Sequence, residues 1–327
     1  MLVALEFVVA GGAALLALRV APEGISAAPL EPSNLFTHGF GAVLAFGVAA
    51  FMGFESGAIY SEEAKNPERT VPRATYLAVS IIALFYGFIS WALAVGVGPS
   101  SVIGASQEFG PDLLFVFLGE RASGFVVDIA NLLFLTSVIA ALVAFHNSAA
   151  RYFFALARPG VLPAFLARTS ARTGAPVGGS LAQSAVALTV VVVVFAIVGQ
   201  GSELGPLFPV VTLFTWFSNA AAFGLIFLLL VTYLAVFAYF RRTPHGQSVL
   251  VRVVTPLVAA AGLTVIFAMI LWNFPVLIDS DGMSPLVFIM PGVILASGLA
   301  GLVRGEYLRR VRPEVFDVVA HDLDHHS

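Results

Sequence analysis

Apolar residues in this chain come in long, nearly unbroken runs of about 20, the length a helix needs to cross the ~30 Å hydrocarbon core of a bilayer. The runs fall near residues 2–20, 36–59, 74–98, 123–156, 177–199, 207–240, 252–273 and 285–303. A transmembrane barrel would instead alternate over stretches of ~10 residues, and that pattern is absent from the sequence. Of the 327 residues only 11% are charged, against about 25% in a soluble domain. The expected fold class is an all-α integral membrane protein of about eight transmembrane helices.

Turn-rich or charged stretches separate the runs, among them EEAKNPERTVPR, GPSSVIGASQEFGPD and ARPGVLPAFLARTSARTGAP. Residues 123–156 and 207–240 are longer than a span requires and are expected to tilt or to extend beyond the membrane. With residue 1 on the cytoplasmic side, all the basic residues except Arg19 and Arg121 fall in cytoplasmic stretches. The positive-inside rule is satisfied by that orientation, so both termini are expected in the cytoplasm of a multi-pass plasma-membrane protein. Cysteine is absent, which excludes disulfides, thiol chemistry and cysteine metal sites. The terminal HDLDHHS reads as a solvated tail. Met1 opens directly into an apolar run interrupted by Glu6, without the charged leader of a signal peptide, as though the chain began inside a helix.

The stretch FMGFESGAIYSEEAKNPERTVPRA, residues 51–74, carries the most functional information. Gly53 falls near the expected bilayer midpoint and is followed at once by Glu55 and Gly57. Glycine alone serves close helix packing. An intramembrane carboxylate beside it points to a bundle interior or a wet cavity. A helix broken at the midplane is how many secondary transporters expose backbone groups to substrate and ions. The carbonyl end of the first half suits an ammonium and the amide end of the second suits a carboxylate. An amino acid offers both.

The run GFES…EEAKNPERTVPRA resembles the sixth helix and following cytoplasmic loop of the amino acid–polyamine–organocation (APC) superfamily. That pattern is roughly G-F-E, then E-E, then N-P-x-R-x-x-P-R-A. NSAARYFFALARPGVLP, residues 147–163, resembles the end of the family's eighth helix, with Pro159 where the family more often has an acidic or other polar residue. The resemblance implies a LeuT-like inverted-repeat fold and a secondary transporter of an amino acid or related amine, working by alternating access. Residues 1–20 would be the last helix of the first repeat, 36–240 the complete second repeat, 252–303 two extra helices and 304–327 a cytoplasmic tail. The eight helices would correspond to helices five to twelve of a twelve-helix transporter, within a single transmembrane domain 1–327. Because the family's first helix would then be missing, a non-transporting remnant or a half-transporter needing a partner stands as the alternative.

Phe51, Gly53, Phe54, Glu55 and Ser56 are the expected substrate-facing residues, with Phe51 or Phe54 covering the ligand as an aromatic does in the family. Glu55 is a candidate proton carrier, because burial raises a carboxylate's pKa; a structural hydrogen bond is the competing role. Thr136 and Ser137 are candidate sodium ligands in this fold, although such hydroxyls usually bond their own helix. No lysine occurs within residues 1–20, so the sodium-replacing lysine of some family members has no counterpart there, and Glu6 is expected to face missing helices. Asp128 and Asn131 read as capping or vestibule residues, and His146 and Asn147 as structural. Asn219 and Asn273 read as interhelical hydrogen bonds. Glu62, Glu63, Lys65, Arg69, Arg73 and Arg151 are candidates for a cytoplasmic gate, with solvated charges as the default.

The expected partners are a small-molecule substrate and the lipid bilayer, with no nucleic acid, no metal and no cofactor beyond a coupling proton or sodium ion. No nucleotide-binding motif supports ATP-driven transport. A different class, an intramembrane hydrolase, would need a nucleophile beside a base. Ser137 and His146 lie about nine residues apart on one helix, roughly 13 Å, too far for direct proton transfer.

Overall fold

A computed structural model of the chain describes residues 2–35, 40–59, 61, 64–197, 205, 208, 212–242, 248–278 and 284–316. Among these residues every regular element is helical. The helices are α1 (Leu2–Arg19), α2 (Pro32–Leu35), α3 (Phe40–Phe51), α4 (Ser56–Ile59), α5 (Pro67–Val97), α6 (Val102–Phe109) and α7 (Leu113–Arg121). There follow α8 (Gly124–Ala157), α9 (Val177–Ile197), α10 (Phe214–Arg242), α11 (Thr255–Trp272), α12 (Phe274–Leu277) and α13 (Leu286–Val311). Among the described residues 6 helical segments are long and apolar enough to cross a membrane: Phe40–Ile59, Pro67–Val97, Gly124–Ala157, Phe214–Arg241, Leu250–Trp272 and Leu286–Val311. The other two expected spans form the 18-residue α1 and the 21-residue α9. The architecture is the all-α, multi-pass membrane one that the apolar runs imply.

Two local expectations are corrected. Residues 67–73, read as loop, are the first turns of α5. Pro67 stands at the start of the helix, where its missing N–H is one of the unpaired ones anyway, and Glu68 in the first turn complements the dipole. The stretch 99–112 is also more ordered than its Gly and Pro content suggests, since α6 occupies most of it and leads into α7.

The chain forms two compact units, one of residues Met1–Thr37 and Gly53–Ser148, the other of His38–Met52 and Ala149–Ser327. In the first, α1 runs along α5 through small side chains. A methyl group on Gly96 would lie 2.5 Å from the Ala17 Cβ, so only glycine allows this approach. Ala13 and Ala17 continue into a cluster with Phe117, Leu118 and Ala130. The segment after α1 is tied down by Trp91, whose Nε1–H donates to the Ser26 carbonyl at 3.0 Å, and by Glu23, which accepts from the Ser100 amide at 3.1 Å.

In the second unit, α3, α10 and α11 enclose a core of Ala45, Phe223, Ile226, Ile270 and Phe274. Phe223 stacks on Phe267 with centroids 4.7 Å apart and meets Phe274 edge-on at 6.1 Å. The fully buried Asn219 donates through Nδ2 to the Thr215 and Leu277 carbonyls, both at 2.9 Å. Trp216 Nε1–H donates to the Ile278 carbonyl at 3.1 Å. Carbonyls at the end of α12, which would otherwise be stranded, are thereby satisfied. Asn219 makes the interhelical bond expected of it. Asn273 does not: its Nδ2 donates to the Met269 carbonyl of its own helix at 2.9 Å, a carbonyl that also accepts the Asn273 backbone N–H at 3.1 Å.

Candidate functional site: an interrupted membrane helix

The span Phe40–Ile59 is interrupted. α3 ends at Phe51, residues 52–55 form a turn, and α4 begins at Ser56. Gly53 adopts φ +105°, a conformation that side chains with a Cβ rarely reach, so the break lies where the sequence places a glycine. The turn is held by local bonds. The Met52 amide donates to the Ala49 carbonyl at 3.2 Å, the Ser56 amide to Gly53 at 3.0 Å and the Ala58 amide to Glu55 at 3.0 Å.

Glu55 folds back on the break. Its Oε2 accepts from the Gly53 N–H at 2.9 Å, satisfying an amide that the interruption strands. The amides of Phe54 and Glu55 have no hydrogen-bond acceptor among the described residues. Phe51, Gly53, Phe54, Glu55 and Ser56 are all half-buried, and the five sit within one short stretch of backbone. Such a turn presents unpaired N–H groups that attract an anion, and the C-terminal end of a helix such as α3 has the opposite, cation-attracting polarity. The sequence located the break; that Glu55 itself satisfies the Gly53 amide was one of two roles it left open.

The other candidates are more dispersed. Thr136 donates to the Leu133 carbonyl of its own helix at 2.9 Å. Ser137 lines a cavity together with Glu6, a juxtaposition that two isolated polar residues in distant runs do not announce. Asn131 donates to Val127 at 3.0 Å, one turn back on α8, where Asp128 also lies. His146, Asn147 and the gate candidate Arg151 all belong to the same continuous α8. Lys65, Arg69 and Arg73 are exposed and form no ion pair among the described residues. Glu62 and Glu63 lie outside the described residues.

The profile of the family described as "Amino acid permease" matches residues 4–312. The chain belongs to the amino acid permease family. The chain is 30% identical over 155 residues to cationic amino acid transporter 4, vacuolar, of Arabidopsis thaliana, a stretch covering 46% of this chain and 25% of the relative. It is 35% identical over 135 residues to a D-serine/D-alanine/glycine transporter of Escherichia coli, 41% of this chain and 27% of the relative. It is 34% identical over 160 residues to the lysine-specific permease LysP of Lactococcus lactis, 47% of this chain and 30% of the relative. The chain therefore matches these relatives over only 25–30% of their own length. The family is one of transporters, which sets the hydrolase reading aside.

Proposed function

We propose that this permease carries an amino acid or a related amine across a membrane by alternating access, with the substrate bound at the break between α3 and α4. The interruption at Gly53 carries this reading, since a broken helix exposes one carbonyl end and one amide end. The substrate carboxylate takes the open amides of Phe54 and Glu55, and its ammonium faces the carbonyl end of α3. Phe51 or Phe54 covers the bound molecule. Glu55 is the candidate coupling group: it exchanges its bond to the Gly53 amide for a proton as the substrate arrives. Both termini face the cytoplasm in this reading, which rests on the placement of the basic residues.

The test is uptake of a labelled mixture of the twenty amino acids into proteoliposomes holding the purified chain, with an imposed proton or sodium gradient. Uptake above that of empty liposomes is expected, together with loss in Gly53→Ala and a flattened pH dependence in Glu55→Gln. Uptake no greater than in empty liposomes, from protein that is folded and inserted, would leave the non-transporting alternative standing.

A further inference from the structure

Away from the break, the first unit holds a cavity of about 190 Å³ between α1, α7 and α8. Its walls are mostly apolar and include Ala10, Phe115, Leu118 and Phe134. Glu6 and Ser137 also line it, and no lining residue is basic. Among the described residues neither the Glu6 carboxylate nor the Ser137 hydroxyl has a hydrogen-bond or ion-pair partner. The contrast with Thr136 is direct, because that hydroxyl is spent on its own helix. A carboxylate within a membrane-crossing helix is costly unless something of opposite charge meets it. Nothing else in this cavity supplies that charge.

We propose that this cavity binds a small monoammonium compound with an aromatic body, its ammonium held by Glu6 and Ser137 and its body against Phe115 and Phe134. Size, charge and donor set agree. An engineered apolar cavity of ~150 Å³ holds benzene, so about 190 Å³ admits a ring with a short ammonium arm. Phe115 and Phe134 meet edge-on with centroids 5.6 Å apart and an interplanar angle of 68°, leaving ring surface for a cation to approach. A hard divalent cation takes about six to eight oxygen ligands, and one carboxylate with one hydroxyl falls well short. A free amino acid is disfavoured, since its carboxylate would face Glu6 with no basic group to offset it. The site shares no residue with the break and stands independently of the transport reading.

Calorimetric titration of the full chain in nanodiscs with benzylammonium, and separately with benzyl alcohol, tests the proposal. Benzylammonium should bind at least about tenfold more tightly than the alcohol, because only the cation offers a charge opposite to that of the half-buried Glu6. Glu6→Gln should abolish that preference and Ala10→Leu should weaken both ligands by filling the cavity. The comparison of the two ligands on the unaltered chain needs no variant to fold. Equal affinity for cation and alcohol, no binding of the cation, or a preference that survives Glu6→Gln would each overturn the assignment.

Discussion

The two halves of the interrupted span are anchored very differently. α3 is seated deep in its own unit: Ala45 is completely buried, and a methyl group on Gly41 would overlap the Asn273 side-chain amide. α4 has only 4 residues, none of them buried, and a methyl group on Gly57 would rest at an ordinary 3.7 Å from the Thr75 hydroxyl of α5. One half is fixed by close packing and the other is held by a few local bonds. Segments with few buried contacts open at lower free-energy cost. The α4 side of the break is therefore where ligand binding can rearrange the backbone without disturbing a core.

That contrast can be broken in order of effect. Gly41→Leu should be the most damaging change, costing about 3 kcal/mol because Asn273 must leave its place and give up its bond to Met269; thermal unfolding in detergent would register it. Gly53→Ala should cost about 1–2 kcal/mol for placing a Cβ at φ +105°, with the loss read as reduced uptake at retained expression. Glu55→Gln keeps the shape but weakens a charge-assisted bond to the Gly53 amide, so a change of about 1 kcal/mol is expected, seen as faster amide exchange at the turn. Gly57→Ala should fall within about 0.5 kcal/mol of the unaltered protein in thermal unfolding. If Gly57→Ala proved as harmful as Gly41→Leu, the idea of one anchored and one loosely held half would be wrong.

Much of this was legible in the chain because the membrane imposes such a coarse code. Apolar runs mark the spans, and Gly53 beside Glu55 marks the interruption, since both are exceptions within an otherwise apolar segment. The early start of α5 was hidden because Pro67 and Pro72 read as turn formers, although the first helical position accepts proline. α6 and α7 were hidden because they are short and framed by glycine and proline. The partners of polar side chains were the least legible of all. Nothing local distinguishes Asn273, which bonds its own helix, from Asn219, which reaches α12. Likewise Thr136 and Ser137 are chemically alike neighbours, and only packing assigns one to its helix and the other to the cavity with Glu6.

The most direct test of the account is hydrogen exchange across residues 40–59 of the reconstituted chain, followed by mass spectrometry with and without an equimolar mixture of the twenty amino acids. The amides of Phe54 and Glu55 should exchange quickly in the empty protein and slow markedly when amino acids are added, while those of α3 stay protected in both conditions. Rapid exchange at the turn that amino acids leave unchanged, in protein shown to take them up, would contradict the placement of the substrate at this break.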